Sequence, residues 1–204
     1  MARNDRPAGS VTLVGVAKRQ PLELVAETIR AGLADVAENY LQEAQAAFAE
    51  LPPVRRHFIG HLQTNKAKAV AELFDVVQSV DSLRLAEALS SAAVSLAKTL
   101  DVYAQVNISL EPQKHGFGVL GGEEELARLA GLPGLKLKGL MGMAAAVDDP
   151  AAARPDFARL RELRQRLQPS LGPLLLSMGM SHDFEVAIEE GADLVRVGSA
   201  LFKA

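Results

Sequence analysis

Short apolar runs rich in β-branched residues recur along the chain. Several are apolar throughout instead of alternating with polar residues, which is typical of parallel strands that are covered on both faces. They are bounded by Gly, Pro or charged residues, as strands usually are. We predict strands at Val11–Ala17, Asp35–Ala37, Arg56–Ile59, Val76–Val80, Val102–Ile108, Leu137–Met141, Leu174–Ser177 and Leu194–Val197.

The segments between these runs carry apolar residues three or four positions apart, which places them on one face of a helix. Such stripes follow Pro21 and Ser82, and another extends from Pro150 to Gln168. Strand followed by helix, repeated along the chain, predicts an α/β protein. An open doubly wound sheet would show the same alternation. The number of units and the lack of a GxGxxG turn favour a single closed (β/α)8 barrel over residues 11–204, after a flexible segment at 1–10.

Composition narrows the function classes. The chain has 204 residues, the length of one domain, and a formal net charge of -3, so nucleic acid and membrane surfaces are poor partners. It has no Cys, which excludes disulfides, thiolate metal sites and cysteine catalysis. Its four His lack the spacing of a metal motif, so we expect no metal. The sequence shows neither a signal-peptide pattern nor a long apolar span, so we expect a cytoplasmic location.

Polar residues at the carboxyl ends of the strands are the functional candidates, because barrels of this class build their sites there. Lys18 ends the first strand and Asn39 follows the second. A lysine at a strand end is often simply solvated. A lysine partly withdrawn from water can instead serve as a free amine that attacks an aldehyde and forms an imine.

The last two strands end in residues suited to a phosphate. The run from Ser177 to Asp183 contains Gly and hydroxyls and leads into a helical pattern, where Ser181 is a candidate N-cap. A plain cap without any ligand fits equally well. Gly198 and Ser199 follow the eighth strand. Arg196 lies inside that apolar strand and needs an acceptor at the barrel mouth, for which a structural salt bridge is the alternative.

Five motifs in order resemble one family. They are Gly15-Val-Ala-Lys18, Glu38-Asn-Tyr40, His57-Phe-Ile-Gly60 with Leu62-Gln63 and Asn65-Lys66, Ser177-Met-Gly-Met-Ser181 with Asp183, and Arg196-Val-Gly-Ser199. Together they are similar to the pyridoxal 5′-phosphate (PLP) homeostasis protein family, over nearly the whole chain. The helix that usually precedes the first strand in this family is nearly absent, because only residues 1–10 precede Val11.

The resemblance implies a barrel like the N-terminal domain of alanine racemase, with PLP held as a Schiff base on Lys18. It further implies that Arg196 faces the pyridine nitrogen and that Asn39 lies beside the ring. The phosphate would be surrounded by Ser177, Met180, Ser181, Gly198 and Ser199. Lys114 matches a family lysine near the mouth, although a solvated loop lysine is the simpler interpretation.

The resemblance therefore implies a protein that buffers or delivers PLP without strong catalysis, because an Arg opposite the pyridine nitrogen would weaken PLP as an electron sink. We expect a monomer whose partners are PLP and PLP-requiring apo-enzymes. The main alternative is an amino-acid racemase, which needs a second acid/base group that neither Tyr40 nor Tyr103 is well placed to supply. Another is a barrel that binds a phosphorylated metabolite and uses Lys18 as a plain ammonium.

Overall fold

The structure is a computed structural model that describes residues 6, 7 and 9–202. Its strands are β1 (Thr12–Val16), β2 (Asp35–Glu38), β3 (Arg55–Phe58), β4 (Val76–Val80), β5 (Leu100–Asn107), β6 (Phe117–Gly118), β7 (Leu135–Gly142), β8 (Leu175–Ser177) and β9 (Leu194–Val197). All of these strands pair in parallel. The strands lie side by side in the order β4-β3-β2-β1-β9-β8-β7-β5, and the sheet closes because β4 also pairs with β5. The two-residue strand β6 pairs with β5 outside the closed ring.

Helices follow the strands and cover the outside of the barrel. They are α1 (Leu22–Arg30), α2 (Leu41–Glu50), α3 (Ala67–Leu73), α4 (Leu83–Ser95), α5 (Glu123–Ala130), α6 (Arg154–Leu171) and α7 (Phe184–Glu189). Ser82 caps α4, since its hydroxyl accepts a hydrogen bond from the backbone N–H of Leu85 at 3.4 Å. Short 3-10 turns precede α3 and α6, at Thr64–Lys66 and Pro150–Ala153.

Two hydrophobic cores result from the alternation of side chains along each strand. In β9, Val195 and Val197 belong to the larger core between strands and helices, whereas Leu194 faces the barrel interior. Arg196 alternates with the two valines and therefore faces inward as well. The inner apolar cluster consists of Val14, Ala37, Val76, Tyr103, Met141 and Leu194.

The predicted eight-stranded barrel is confirmed, with each predicted strand present and its ends within two residues of the predicted ones. The short strand β6 was not predicted, and the helix expected from Pro150 begins as a 3-10 turn and becomes α-helical at Arg154. Most of the segment expected to be flexible, residues 1–5 and 8, lies outside the described residues. Within the described part, Arg6 pairs with Asp193 at 3.7 Å.

Neither a membrane span nor a metal cluster occurs in the described ranges. No helix there is long and apolar enough to cross a bilayer. No group of three or more His, Asp or Glu side chains among the described residues could hold a metal ion.

Candidate functional site

A cavity of about 250 Å³ lies at the carboxyl ends of the barrel strands. It contains six of the eight predicted site residues, contributed by strand β9 and by loops that are far apart in sequence. Apolar side chains from β1, β3 and β7 and their following loops complete the walls. The lining residues are Val16, Lys18, Asn39, Ile59, Met141, Met143, Met180, Ser181, Arg196 and Gly198.

Lys18 enters this cavity because the chain turns sharply just after β1. The backbone N–H of Ala17 still bonds to the carbonyl of Ala37 at 2.9 Å, which extends the strand ladder by one residue. Arg19 then adopts a positive φ of 58°. Lys18 is half-buried, and its Nζ lies 5.6 Å from the centre of the Tyr40 ring. The amine is therefore held at the edge of the cavity beside an aromatic face.

Glu38 supplies an ionisable group next to Lys18 and was not among the site residues predicted from the sequence. It is only 3% exposed at the end of β2. Burial raises the pKa of Glu38 to about 7, opposed by a hydrogen bond from the backbone N–H of Asn39 and by the Lys18 charge. The carboxyl group thus changes charge near neutral pH, one residue from Asn39.

Arg196 is 4% exposed and forms the inner wall of the cavity. Its Nη1 donates to Ser177 Oγ at 2.7 Å and its Nη2 to the carbonyl of Gly142 at 3.1 Å. Burial lowers the pKa of Arg196 to about 10, against the attraction of Asp183, so the guanidinium remains charged at neutral pH. The Ser177 hydroxyl and the Gly142 carbonyl, both neutral, are the acceptors that Arg196 was expected to find at the barrel mouth. Among the described residues, no carboxylate is hydrogen-bonded to Arg196, so the salt-bridge alternative does not hold.

The predicted helix cap at Ser181 is wrong. Helix α7 begins at Phe184, with Asp183 in the N-cap position. The Ser181 hydroxyl instead accepts hydrogen bonds from the backbone N–H groups of Gly198 at 3.2 Å and Ala200 at 3.4 Å. This oxygen joins the loops after β8 and β9, and two N–H groups converge there as they do in anion-binding loops.

Two predicted phosphate contacts lie outside the cavity lining. Ser199 is exposed and does not line the cavity. Ser177 is fully buried beneath Arg196, where its Oγ accepts from Arg196 and donates to Gln78 Oε1 at 2.6 Å. The position of Ser177 differs from the one expected, because a hydroxyl with both partners inside the barrel supports Arg196 from below.

A chain of polar residues that was not predicted from the sequence continues from Ser177 through the barrel. Gln78 Nε2 lies 2.8 Å from His57 Nδ1, and His57 Nε2 lies 2.7 Å from Asp35 Oδ1. The available signal was the position of Gln78 directly after the apolar residues Val76 and Val77, and of His57 before Phe58. A polar side chain at an inward position of a covered strand needs a buried partner.

Lys114 belongs to a second cavity, of about 350 Å³, that shares Asn39, Ile59 and Met143 with the first. Its ammonium pairs with Glu111 and donates to the carbonyl of Ala144 at 3.3 Å. The structure thus places Lys114 near the barrel mouth, as expected. Its ammonium already has partners there, Glu111 and Ala144.

The first cavity combines three kinds of group. Lys18 offers an amine for an aldehyde, Arg196 a fixed cation for a ring acceptor, and the loops of Ser181 and Gly198 offer N–H and hydroxyl groups for a phosphate. Gly198 also lets the backbone approach closely, because a Cβ there would lie 3.2 Å from the carbonyl oxygen of Val16. The donor set therefore fits a phosphorylated pyridine aldehyde.

Comparison with known proteins gives the same assignment for the fold. Residues 7–204 match the family model of the alanine racemase N-terminal domain. Alanine racemase of Clostridium difficile superimposes with a TM-score of 0.83 at 14% identity, over 97% of this chain and 53% of the racemase. This likeness shows the shared barrel.

Relatives with higher identity carry a functional name. The pyridoxal phosphate homeostasis protein of Pseudomonas aeruginosa is 45% identical, over 98% of this chain and 86% of the relative. That of Schizosaccharomyces pombe is 39% identical, over 95% and 84%. The structure of PipY from Synechococcus elongatus with PLP bound superimposes with a TM-score of 0.88 at 37% identity, covering 97% of this chain and 95% of PipY.

Proposed function

Because this chain belongs to the pyridoxal phosphate homeostasis protein family, we propose that it binds PLP at the carboxyl-end cavity, holds it on Lys18, and buffers or delivers it. One observation carries this proposal. The Lys18 amine, the Arg196 guanidinium and the loops of Ser181 and Gly198 line one cavity, and each suits a different part of PLP.

The Lys18 amine supplies a reversible covalent attachment. When its nitrogen adds to an aldehyde, one water leaves and an imine bond forms, and the reverse hydrolysis restores both partners. Since the cavity opens at the mouth, water and a competing amine can reach this bond. Reversible attachment with a separate phosphate grip suits a protein that holds and then releases its ligand.

Arg196 disfavours carbanion chemistry at this site. When bound in enzymes, PLP supplies an electron sink, which works best with a protonated ring nitrogen. Arg196 stays charged at neutral pH and would offer that nitrogen only a donor, so it would favour the unprotonated ring. We therefore propose that catalytic turnover is weak.

The two tyrosines do not complete a racemase site. Tyr103 lies in the barrel interior, 4% exposed, and burial raises the pKa of its phenol, so it stays protonated at neutral pH and cannot accept a proton from a substrate. Tyr40 lies beside Lys18 but is 42% exposed and does not line the cavity. A racemase needs its second acid/base group on the other face of the substrate from the lysine.

Absorbance of the protein incubated with PLP tests this function. We expect a visible band that borohydride bleaches, and mass mapping should place the reduced adduct on Lys18. A site that senses another phosphorylated metabolite, with Lys18 as a plain ammonium, would give no such band. We further propose that the protein is a monomer, which light scattering tests. We also expect the PLP-loaded protein to transfer PLP to PLP-requiring apo-enzymes.

A further inference from the structure

A chain of five buried polar side chains crosses the interior of the barrel. It runs from Arg196 in β9 and Ser177 in β8, across to Gln78 in β4, and then to His57 and Asp35. Taken as whole residues, none is more than 8% exposed. Only Arg196 lines the cavity, so the other four have no direct access to a ligand there.

The direction of every hydrogen bond in this chain follows from Arg196. A guanidinium can only donate, so Ser177 Oγ accepts from it and has one proton left, which it donates to Gln78. The Gln78 carbonyl oxygen must therefore face Ser177. Its NH2 group then faces His57 and donates to Nδ1.

His57 is consequently confined to one tautomer. Because Nδ1 accepts from Gln78, it carries no proton, and the ring proton is on Nε2, from which it is donated to Asp35. If Nδ1 carried a proton, the Nδ1–H of His57 and the NH2 group of Gln78 would be two donors facing each other, unless the Gln78 amide rotated. Rotation would turn its NH2 group toward Ser177, which would then lose the acceptor for its own proton.

We infer that Gln78 and His57 are positioning residues for the PLP site, and that they fix Arg196 through a one-way hydrogen-bond chain that holds His57 in the Nε2–H form. The inference deepens the proposed function and rests on it only where PLP affinity is concerned. Asp35 anchors the far end of the chain. The other ionisable side chain in the inner cluster around His57 is Tyr103, whose phenol takes no part in the chain.

The tautomer is measured by ¹⁵N NMR of the imidazole in ligand-free protein at neutral pH, with His57→Gln used to assign the signal. We expect a protonated Nε2 and an unprotonated Nδ1. The near-isosteric Gln78→Glu replaces the NH2 donor by a second acceptor, so it should convert His57 to the doubly protonated ring. A wild-type ring protonated on Nδ1, or an unchanged ring in Gln78→Glu, would overturn the inference.

PLP affinity measures the effect on Arg196. Gln78→Leu removes both hydrogen bonds of the Gln78 amide. We expect it to weaken PLP binding about tenfold, which is the usual effect of losing one hydrogen bond to a charged group. Tyr103→Phe removes another oxygen from the same interior without touching the chain, and should stay within about twofold. If PLP binding were weakened equally in the two folded variants, the hydrogen-bond chain would contribute only packing, which would contradict the inference.

The two proposals fail separately. If wild type binds no PLP, the proposed function falls, while the His57 tautomer in ligand-free protein still decides whether the chain has the stated direction. If Gln78→Leu does not fold, the wild-type spectrum and the response of Gln78→Glu decide the question.

Discussion

The hydroxyl oxygen of Ser181 lies 3.2 Å from the backbone nitrogen of Gly198, which joins the loop after β8 to the loop after β9. The N–H of Ala200 points to the same oxygen at 3.4 Å. A phosphate oxygen that reached these N–H groups would find them already oriented, with the hydroxyl beside it as a further donor.

Ser181→Ala should therefore weaken PLP more than pyridoxal, which has the same ring and aldehyde but no phosphate. Loss of a hydrogen bond to a charged group costs about 1.5–3 kcal/mol, or at least about tenfold in affinity. Equilibrium titration with both ligands measures the difference. Adding Ser199→Ala tests whether the exposed hydroxyl contributes further. Equal losses for both ligands would contradict the phosphate assignment.

Racemisation of alanine and other amino acids by the PLP-loaded protein should be negligible. The reason is the charged Arg196 of the cavity wall, which we propose would face the ring nitrogen, and the lack of a second base among the described residues that line the cavity. Chiral chromatography after long incubation measures the rate. Turnover of about 1 per second or more, an ordinary enzyme rate, would favour the racemase alternative.

Stability should decline between about pH 4.5 and 7 because of Glu38, whose pKa rises from 4.5 in the unfolded chain to about 7 in the folded protein. In this interval the folded state binds more protons than the unfolded state, so raising the pH favours unfolding. Glu38→Gln removes this contribution and should be more stable than wild type above pH 7, by ~3 kcal/mol at most. Urea unfolding at several pH values measures it. A wild-type curve parallel to that of Glu38→Gln would show that Glu38 titrates normally.

The barrel and much of the cavity could be predicted because both depend on local pattern. Apolar runs gave the strands, and polar residues at their ends, such as Lys18 and Asn39, gave the cavity lining. The position of Ser177 could not be predicted, since its acceptor Gln78 is 99 residues away in sequence. The hydrogen-bond partners of Ser181 could not be predicted for the same reason. A helix cap is a local bond, whereas its true donors, Gly198 and Ala200, come from another loop.

Lys18→Ala should abolish the covalent adduct while PLP still binds noncovalently and more weakly. Arg196 and the loops of Ser181 and Gly198 do not depend on the lysine for their hydrogen bonds. Absorbance, borohydride reduction and mass mapping follow the adduct, and equilibrium dialysis follows the remaining affinity. Lys18→Arg keeps a cation beside Tyr40 but cannot form the imine, so it should behave like Lys18→Ala in the absorbance assay.

The fold should survive this change, because Lys18 is half-buried at a strand end and contributes little to the core. The thermal midpoint without ligand should therefore move little. Wild type should gain stability from PLP by mass action, and Lys18→Ala should gain less in proportion to its weaker affinity. Lys114→Ala is the matched control and should keep the full adduct, since the Lys114 ammonium is already bonded to Glu111 and Ala144. A stoichiometric adduct on Lys114 in the Lys18→Ala protein would show that Lys18 is not the required anchor.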